Sequence, residues 1–230
     1  MDTFQTAIGR DFGAIGDLIA IHARQNPDRP ALRDADTTLT YVALDALMDR
    51  IAASLQRDGL GAGHAIAICA ASSVPYAAVF LGALRAGIAV APLAPGSTPA
   101  SLARMMEDAD ARLLFVDAST AAVTGNATAP TRITLDGSKA GHTFEDWLAP
   151  LGARPAPVDV QPSWPFNIIY PSGTTGEPKG IVQGHDMRWA HVQRGAKMAT
   201  TVKPSRCSRR RCTPTPRWSF SSRRWRSVAA

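Results

Sequence analysis

Apolar residues recur along this chain in two alternating rhythms, one with the period of a helix and one in short unbroken runs. From Ile15 to Arg24 the spacing predicts an amphipathic helix that stops before Asn26-Pro27-Asp28-Arg29-Pro30. Leu39-Thr40-Tyr41 leads into a clearer helix in which Leu44, Leu47, Ile51 and Leu55 share one face. Thr40 is placed to cap its first amides, and Gly59 to end it in a left-handed conformation. The run from Ala65 to Ala70 is short enough for a buried strand. Ser73 and Pro75 then open a helix that passes Arg85 and closes at Gly87, and Ile88 to Leu93 reads as a second buried strand. Thr98-Pro99 starts a further helix carrying Leu102, Met105 and Met106 toward Asp110, and Leu113 to Val116 is a third strand. Ile133 to Leu135 and Phe166 to Tyr170 have the same strand character.

Strands alternating with helices at this spacing imply βαβ units and a parallel sheet covered on both faces. The small, polar segment from Ser119 to Pro130 is expected to be a surface loop. Glu145 and Asp146 beside Trp147 should open a short helix, and the segment from Arg154 to Pro165, which contains four prolines, marks a connector into the last strand. No internal repeat is present. His22, His64, His142 and His191 are scattered and read as ordinary surface or core residues, and Met105-Met106 as helix packing.

Composition alters the picture at one end only. The 230 residues are 45% hydrophobic, which suits a packed core. The net charge of +6 is misleading. Lys203 to Ala230 carries nine of the 25 basic residues and none of the 19 acids, which leaves 16 against 19, or −3, for residues 1–202. Cys207 and Cys212 also lie in that tail, so the body holds only Cys69; no disulfide framework is implied and a reducing cytoplasm is the expected location. No signal peptide is read at the N-terminus. The most apolar stretch, Tyr76 to Leu93, is broken by Arg85 and Gly87, so no membrane span is expected.

The segment with the most chemistry is Pro171-Ser172-Gly173-Thr174-Thr175-Gly176-Glu177-Pro178-Lys179-Gly180, followed by Ile181-Val182 and His185. Its glycines allow successive backbone amides to face one concavity. Ser172, Thr174 and Thr175 add uncharged hydroxyl donors, and Lys179 adds a mobile cation at the far end. Such parts suit a polyanion such as a nucleoside triphosphate. The spacing is not that of the Walker A loop, since Lys179 is followed by Gly180 rather than Ser or Thr. The competing reading is a Gly/Ser/Thr-rich hairpin that binds nothing.

With Tyr170 in front, this string resembles the signature loop of the AMP-forming synthetases: acyl-CoA ligases, peptide-synthetase adenylation domains and luciferases. Leu39-Thr40-Tyr41 with its helix, Leu81 to Pro92, and Ala111 to Asp117 also resemble the N-terminal region of that family, over about Ile15 to Ala199. The resemblance implies an α/β fold, the N-terminal subdomain of an adenylate-forming enzyme, with a mostly parallel sheet flanked by helices and incomplete at the C-terminus. It also implies ATP with Mg2+, a small carboxylic acid substrate and, as thiol acceptor, coenzyme A. The acid would attack the α-phosphorus to give acyl-adenylate and pyrophosphate, and the thiol would then take the acyl group. Ser172, Gly173, Thr174, Thr175, Gly176 and Lys179 would hold the β- and γ-phosphates. Pro171 stands where the family usually has Thr or Ser, and its missing amide donor and hydroxyl should lower phosphate affinity. His185 matches a histidine often found beyond the loop and takes no assigned role.

The family's later motifs for adenine, metal and ribose, and its mobile C-terminal domain, are not found, so the chain reads as a fragment without a complete catalytic cycle. The sheet is expected to lack later strands, leaving apolar faces beside Phe166 to Tyr170 unpartnered and the protein poorly soluble. Residues 1–202 are expected to form the partial synthetase domain. Residues 203–230 lack hydrophobic periodicity and are expected to be disordered. Their Arg/Ser/Pro/Trp/Cys mixture is typical of GC-rich coding sequence read out of frame. Moving the frame back one base turns every Cys or Trp codon into Leu, Met or Val, so Cys207, Cys212, Trp218 and Trp225 all become aliphatic. A single-base slip near Ala199 to Lys203 follows as the expectation. The alternative is a non-enzymatic nucleic-acid-binding tail, with nine cations interleaved with Trp218, Phe220 and Trp225. The out-of-frame reading is preferred, and no specific nucleic acid is expected as partner. Cys207 and Cys212 lack a second ligand pair and are not read as a metal site.

Overall fold

A computed structural model describes residues 3–124, 131–139, 141–171 and 179–201 of the chain. Helices α1 (Phe4–Ile8) and α2 (Ile15–Gln25) precede an antiparallel pair of short strands, β1 (Pro30–Arg33) and β2 (Thr38–Thr40). The chain continues through α3 (Tyr41–Arg57), β3 (Ala65–Cys69), α4 (Val74–Arg85), β4 (Ala89–Pro92), α5 (Pro99–Asp108) and β5 (Ala111–Val116). After these come α6 (Ala118–Ala121), β6 (Thr131–Thr134), β7 (His142–Thr143), α7 (Phe144–Trp147), β8 (Pro165–Ile169), β9 (Ile181–Gly184) and α8 (His185–Thr201).

At α3, α4 and α5 the helix start coincides with a short hydroxylic side chain that satisfies an otherwise unpaired amide. Thr40, Ser73 and Thr98 accept hydrogen bonds from the amides of Ala43, Tyr76 and Ser101. Gly59 and Gly87 take positive φ, +79° and +73°, just beyond α3 and α4; the sequence implied the left-handed turn at Gly59 and a helix end at Gly87.

Seven strands form one sheet in the order β7-β6-β5-β3-β4-β8-β9. All neighbouring pairs are parallel except β8–β9. The strands alternate in side-chain size, and that alternation decides which helices cover which face. Ile66, Ile68, Val90, Leu113 and Phe115 pack with residues of α3 and α4, including Met48, Ile51, Leu55 and Val79. The opposite face carries the smaller Ala67, Cys69 and Ala91 beside Leu114 and Val116, and packs against Leu102 and Met106 of α5. Period-two alternation thus gives a doubly covered sheet, as expected for parallel strands.

Two expectations need correction. The segment after Ser119 is not all loop: Asp117 forms a reciprocal capping box with Thr120 and starts the one-turn helix α6. Nor are the faces of β8 left without partners: Phe166 is buried against Phe80 and His185, and Ile168 and Tyr170 pack on the cluster around α5. Among the described residues the edge strand on that side is β9, where Ile181 and Val182 are exposed.

Candidate functional site

The glycine-rich segment is the connection of the β8–β9 hairpin, in which Ile169 faces Ile181. Since β8 runs parallel to β4 and hence to β3 and β5, the connection leaves at the C-terminal edge of the parallel strands. That is the edge where open α/β sheets place ligands. The order also reverses there: β4 is added on one side of β3 and β5 on the other.

Ser172, Gly173, Thr174, Thr175 and Gly176 lie outside the described residues, as do Glu177 and Pro178. Lys179 and Pro171 are described, and both are exposed. The two ends of the connection are tied to one side chain on α5. The hydroxyl of Tyr170 lies 2.7 Å from Asp108 Oδ2 and 2.9 Å from the carbonyl oxygen of Met105, and the amide of Gly180 donates to the same Asp108 Oδ2 at 3.0 Å. Gly180 cannot be replaced freely, because a Cβ there would stand 2.4 Å from Ile168 Cγ2 and 3.0 Å from Asp108 Oδ2. Burial first, and then the hydrogen bond and charge of Asp108, hold the Tyr170 phenol well above its ordinary pKa, so it remains a donor at neutral pH.

The reversal point, between β3 and β5, is knit by Asp117, at the end of β5. It accepts from the amide of Ala71, just past β3, at 2.6 Å, and from Ser119 and Thr120. Burial alone would raise the Asp117 pKa, but those hydrogen bonds outweigh it and leave the carboxyl below its usual range. Cys69 is fully buried there, and burial together with the Asp117 charge pushes its thiol up to about 11, so it is no nucleophile at neutral pH.

His185 starts α8 with its ring buried and set edge-on to Phe166 at 5.1 Å. Its position is that of a packing residue between β8 and α8. Of the other histidines, His22 makes tilted ring contacts with Phe4 and Tyr41, while His64 and His142 line a cavity of about 640 Å³ at the opposite, N-terminal edge of the sheet. Among the described residues no group of three His, Cys, Asp or Glu side chains could hold a metal ion. Also among them, no helix is long and apolar enough to cross a membrane.

Sequence reading found the loop but missed Asp108 and Tyr170, which tie its ends, and Asp117, which ties the end of β5 to the end of β3. For Asp117 a signal existed, an acid three residues ahead of Thr120 at a strand-to-helix junction. For Asp108 there was none, because its partners are 62 and 72 residues away.

Residues 19–217 match the family described as AMP-binding enzyme, which reaches into the basic segment that begins at Lys203. A fatty acid–[acyl-carrier-protein] ligase, ScoC, of Streptomyces coeruleorubidus is 32% identical over 72% of this chain and 32% of its own length. A 3-hydroxybenzoate–CoA ligase of an Aromatoleum strain is 29% identical over 69% of the chain and 31% of its own length. Among solved structures, VinN superposes with a TM-score of 0.73 at 28% identity, over 83% of this chain and 48% of VinN. The chain thus spans about a third of these curated relatives and about half of that structure.

Proposed function

The chain belongs to the AMP-binding enzyme family, and from that premise we propose that it carries the triphosphate-gripping part of an ATP-dependent carboxylate ligase. The observation that carries the reading is the place of the loop. A segment rich in glycine and hydroxyls, ending in an exposed lysine, joins β8 to β9 at the C-terminal edge of the parallel strands, the edge where open α/β sheets generally take ligands.

In the proposed reaction a carboxylate oxygen attacks the α-phosphorus of ATP, the bond to the β-phosphate oxygen breaks, and pyrophosphate leaves. Charge builds on the departing group, so amides, hydroxyls and an ammonium fixed around it stabilise the transition state more than the ground state. Ser172, Gly173, Thr174, Thr175, Gly176 and Lys179 are assigned that work. The Mg2+ is assigned to ATP as part of the substrate. A thiol, coenzyme A or one on a carrier protein, then displaces AMP; the ligases named above use acceptors of both kinds. Cytoplasm is the proposed location, on the ground of a single buried thiol in the body of the chain.

For residues 1–230 alone we propose weak triphosphate binding without a full cycle, because the chain spans only about a third of its curated relatives. Residues 203–230 are proposed to be read out of frame. The coding DNA decides this, and a long uninterrupted frame with no such alternative reading would refute it. The functional test is ATP binding together with pyrophosphate release over a panel of carboxylic acids. Lys179→Ala should weaken ATP binding by at least about tenfold, the scale of one lost charge-assisted contact. Unchanged affinity in that variant would remove the loop from the site.

A further inference from the structure

We propose that Asp108 is a positioning residue for the phosphate loop, one carboxylate oxygen that holds both feet of the β8–β9 connection at once. The inference rests on the triphosphate reading given above. Oδ2 of Asp108 receives the Tyr170 phenol at 2.7 Å and the Gly180 amide at 3.0 Å, one donor from each foot. Both bonds are charge-assisted, the stronger class of hydrogen bond.

Three features suggest that the arrangement serves the loop rather than the helix. An acid in the last turn of a helix opposes the helix dipole, so Asp108 is poorly placed for α5 itself. Gly180 has no Cβ, and any Cβ would strike Ile168 and crowd the very oxygen that its amide reaches. The peptide between Lys179 and Gly180 is planar, so fixing the Gly180 amide also fixes the carbonyl end of Lys179 and the point from which its ammonium starts. Tying the feet together fixes Tyr170 and Gly180 relative to one another, and so lowers the ordering cost when a polyanion binds between them.

The test uses the full chain with Asp108→Ala, Asp108→Asn and Lys179→Ala, and reads binding of Mg·ATP and of inorganic tripolyphosphate by titration calorimetry. Asp108→Ala should weaken both ligands by about three- to tenfold, the loss of one or two modest hydrogen bonds. Asp108→Asn should bind more tightly than Asp108→Ala and less tightly than wild type, since its amide oxygen still accepts from both feet but without the charge. Hydrogen exchange at the Gly180 amide should accelerate more in Asp108→Ala than in Asp108→Asn, with melting temperatures alike. Wild-type affinity in Asp108→Ala, alongside lost affinity in Lys179→Ala, would overturn the clamp and leave the loop reading standing. An Asp108→Asn protein as weak as Asp108→Ala would also overturn it, because a missing acceptor would not be the cause. Failure of the wild type to bind either ligand, or equal binding by Lys179→Ala, would bring down the loop reading and the clamp with it.

Discussion

Single side chains in this protein are governed by what burial does to polar atoms, and His185 is the clearest case. It is 3% exposed, and its Nε2 finds no partner among the described residues. Burial holds its pKa below the ordinary histidine value, and the Asp186 carboxylate opposes that only in part. The folded state therefore binds this proton less readily than the unfolded chain. The stability His185 contributes is complete above about pH 6.5 and is lost as pH falls through the depressed folded value. The carboxyls of Asp34 and Asp136 are also depressed, chiefly by the amides of Val74 and Ala118, and Asp117 has been described above. Their contribution is present above about pH 4 and disappears only below it, so the two windows separate. The melting temperature should fall between about pH 7.5 and about pH 5.5, and His185→Gln should flatten that slope while leaving the acid limb in place. An equally steep slope in the variant would assign the effect to another group.

Between elements, fit rather than propensity decides. Gly82 on α4 meets Ile51 on α3, and a Cβ there would stand 2.6 Å from Ile51 Cγ2 and 2.7 Å from its Cβ. Alanine is favoured over glycine in a helix by about 1 kcal/mol, yet overpacking a fitted core costs about 1–3 kcal/mol. Ile51 is fully buried and hemmed in, so the second effect should win, and Gly82→Ala is expected to lower unfolding free energy in urea by about 1 kcal/mol. A gain in stability would show that α3 and α4 can move apart. The same contrast explains which elements the sequence made legible. The longer helices announce themselves locally, through Thr40, Ser73 or Thr98 at the start and Gly59 or Gly87 at the end of α3 and α4, and β3 through an unbroken apolar run. The β1–β2 hairpin does not, because Pro30–Arg33 and Thr38–Thr40 are short and at most half-buried, without clear alternation. Strand β9 is equally silent: it holds two apolar residues and exists through pairing with β8 across a loop whose feet meet on a distant helix.

At the scale of the molecule, the candidate site divides along the same line. Motif spacing pointed to the loop from Ser172 to Lys179, whereas its location depends on the strand order and its anchoring on Asp108, neither of which has a local signature. The strand order also leaves β9 at the margin of the sheet, paired only with β8 among the described residues. Ile181 and Val182 are 54% and 58% exposed on that strand, and an apolar cavity of about 460 Å³, lined in part by Phe80, Phe166 and Val192, lies beside β8. Free backbone donors and acceptors next to exposed branched side chains are the usual template for edge-to-edge pairing between copies. Self-association that rises with protein concentration is therefore expected. A charge on the edge should suppress it, because pairing would then bury an ammonium. Val182→Lys should reduce light scattering while shifting stability by no more than about 0.5 kcal/mol, the usual range for a surface change. Ile181 is the less useful probe, since it adjoins Gly180 and the foot of the loop. If Val182→Lys associates as strongly as the parent chain, the β9 edge is not the surface responsible.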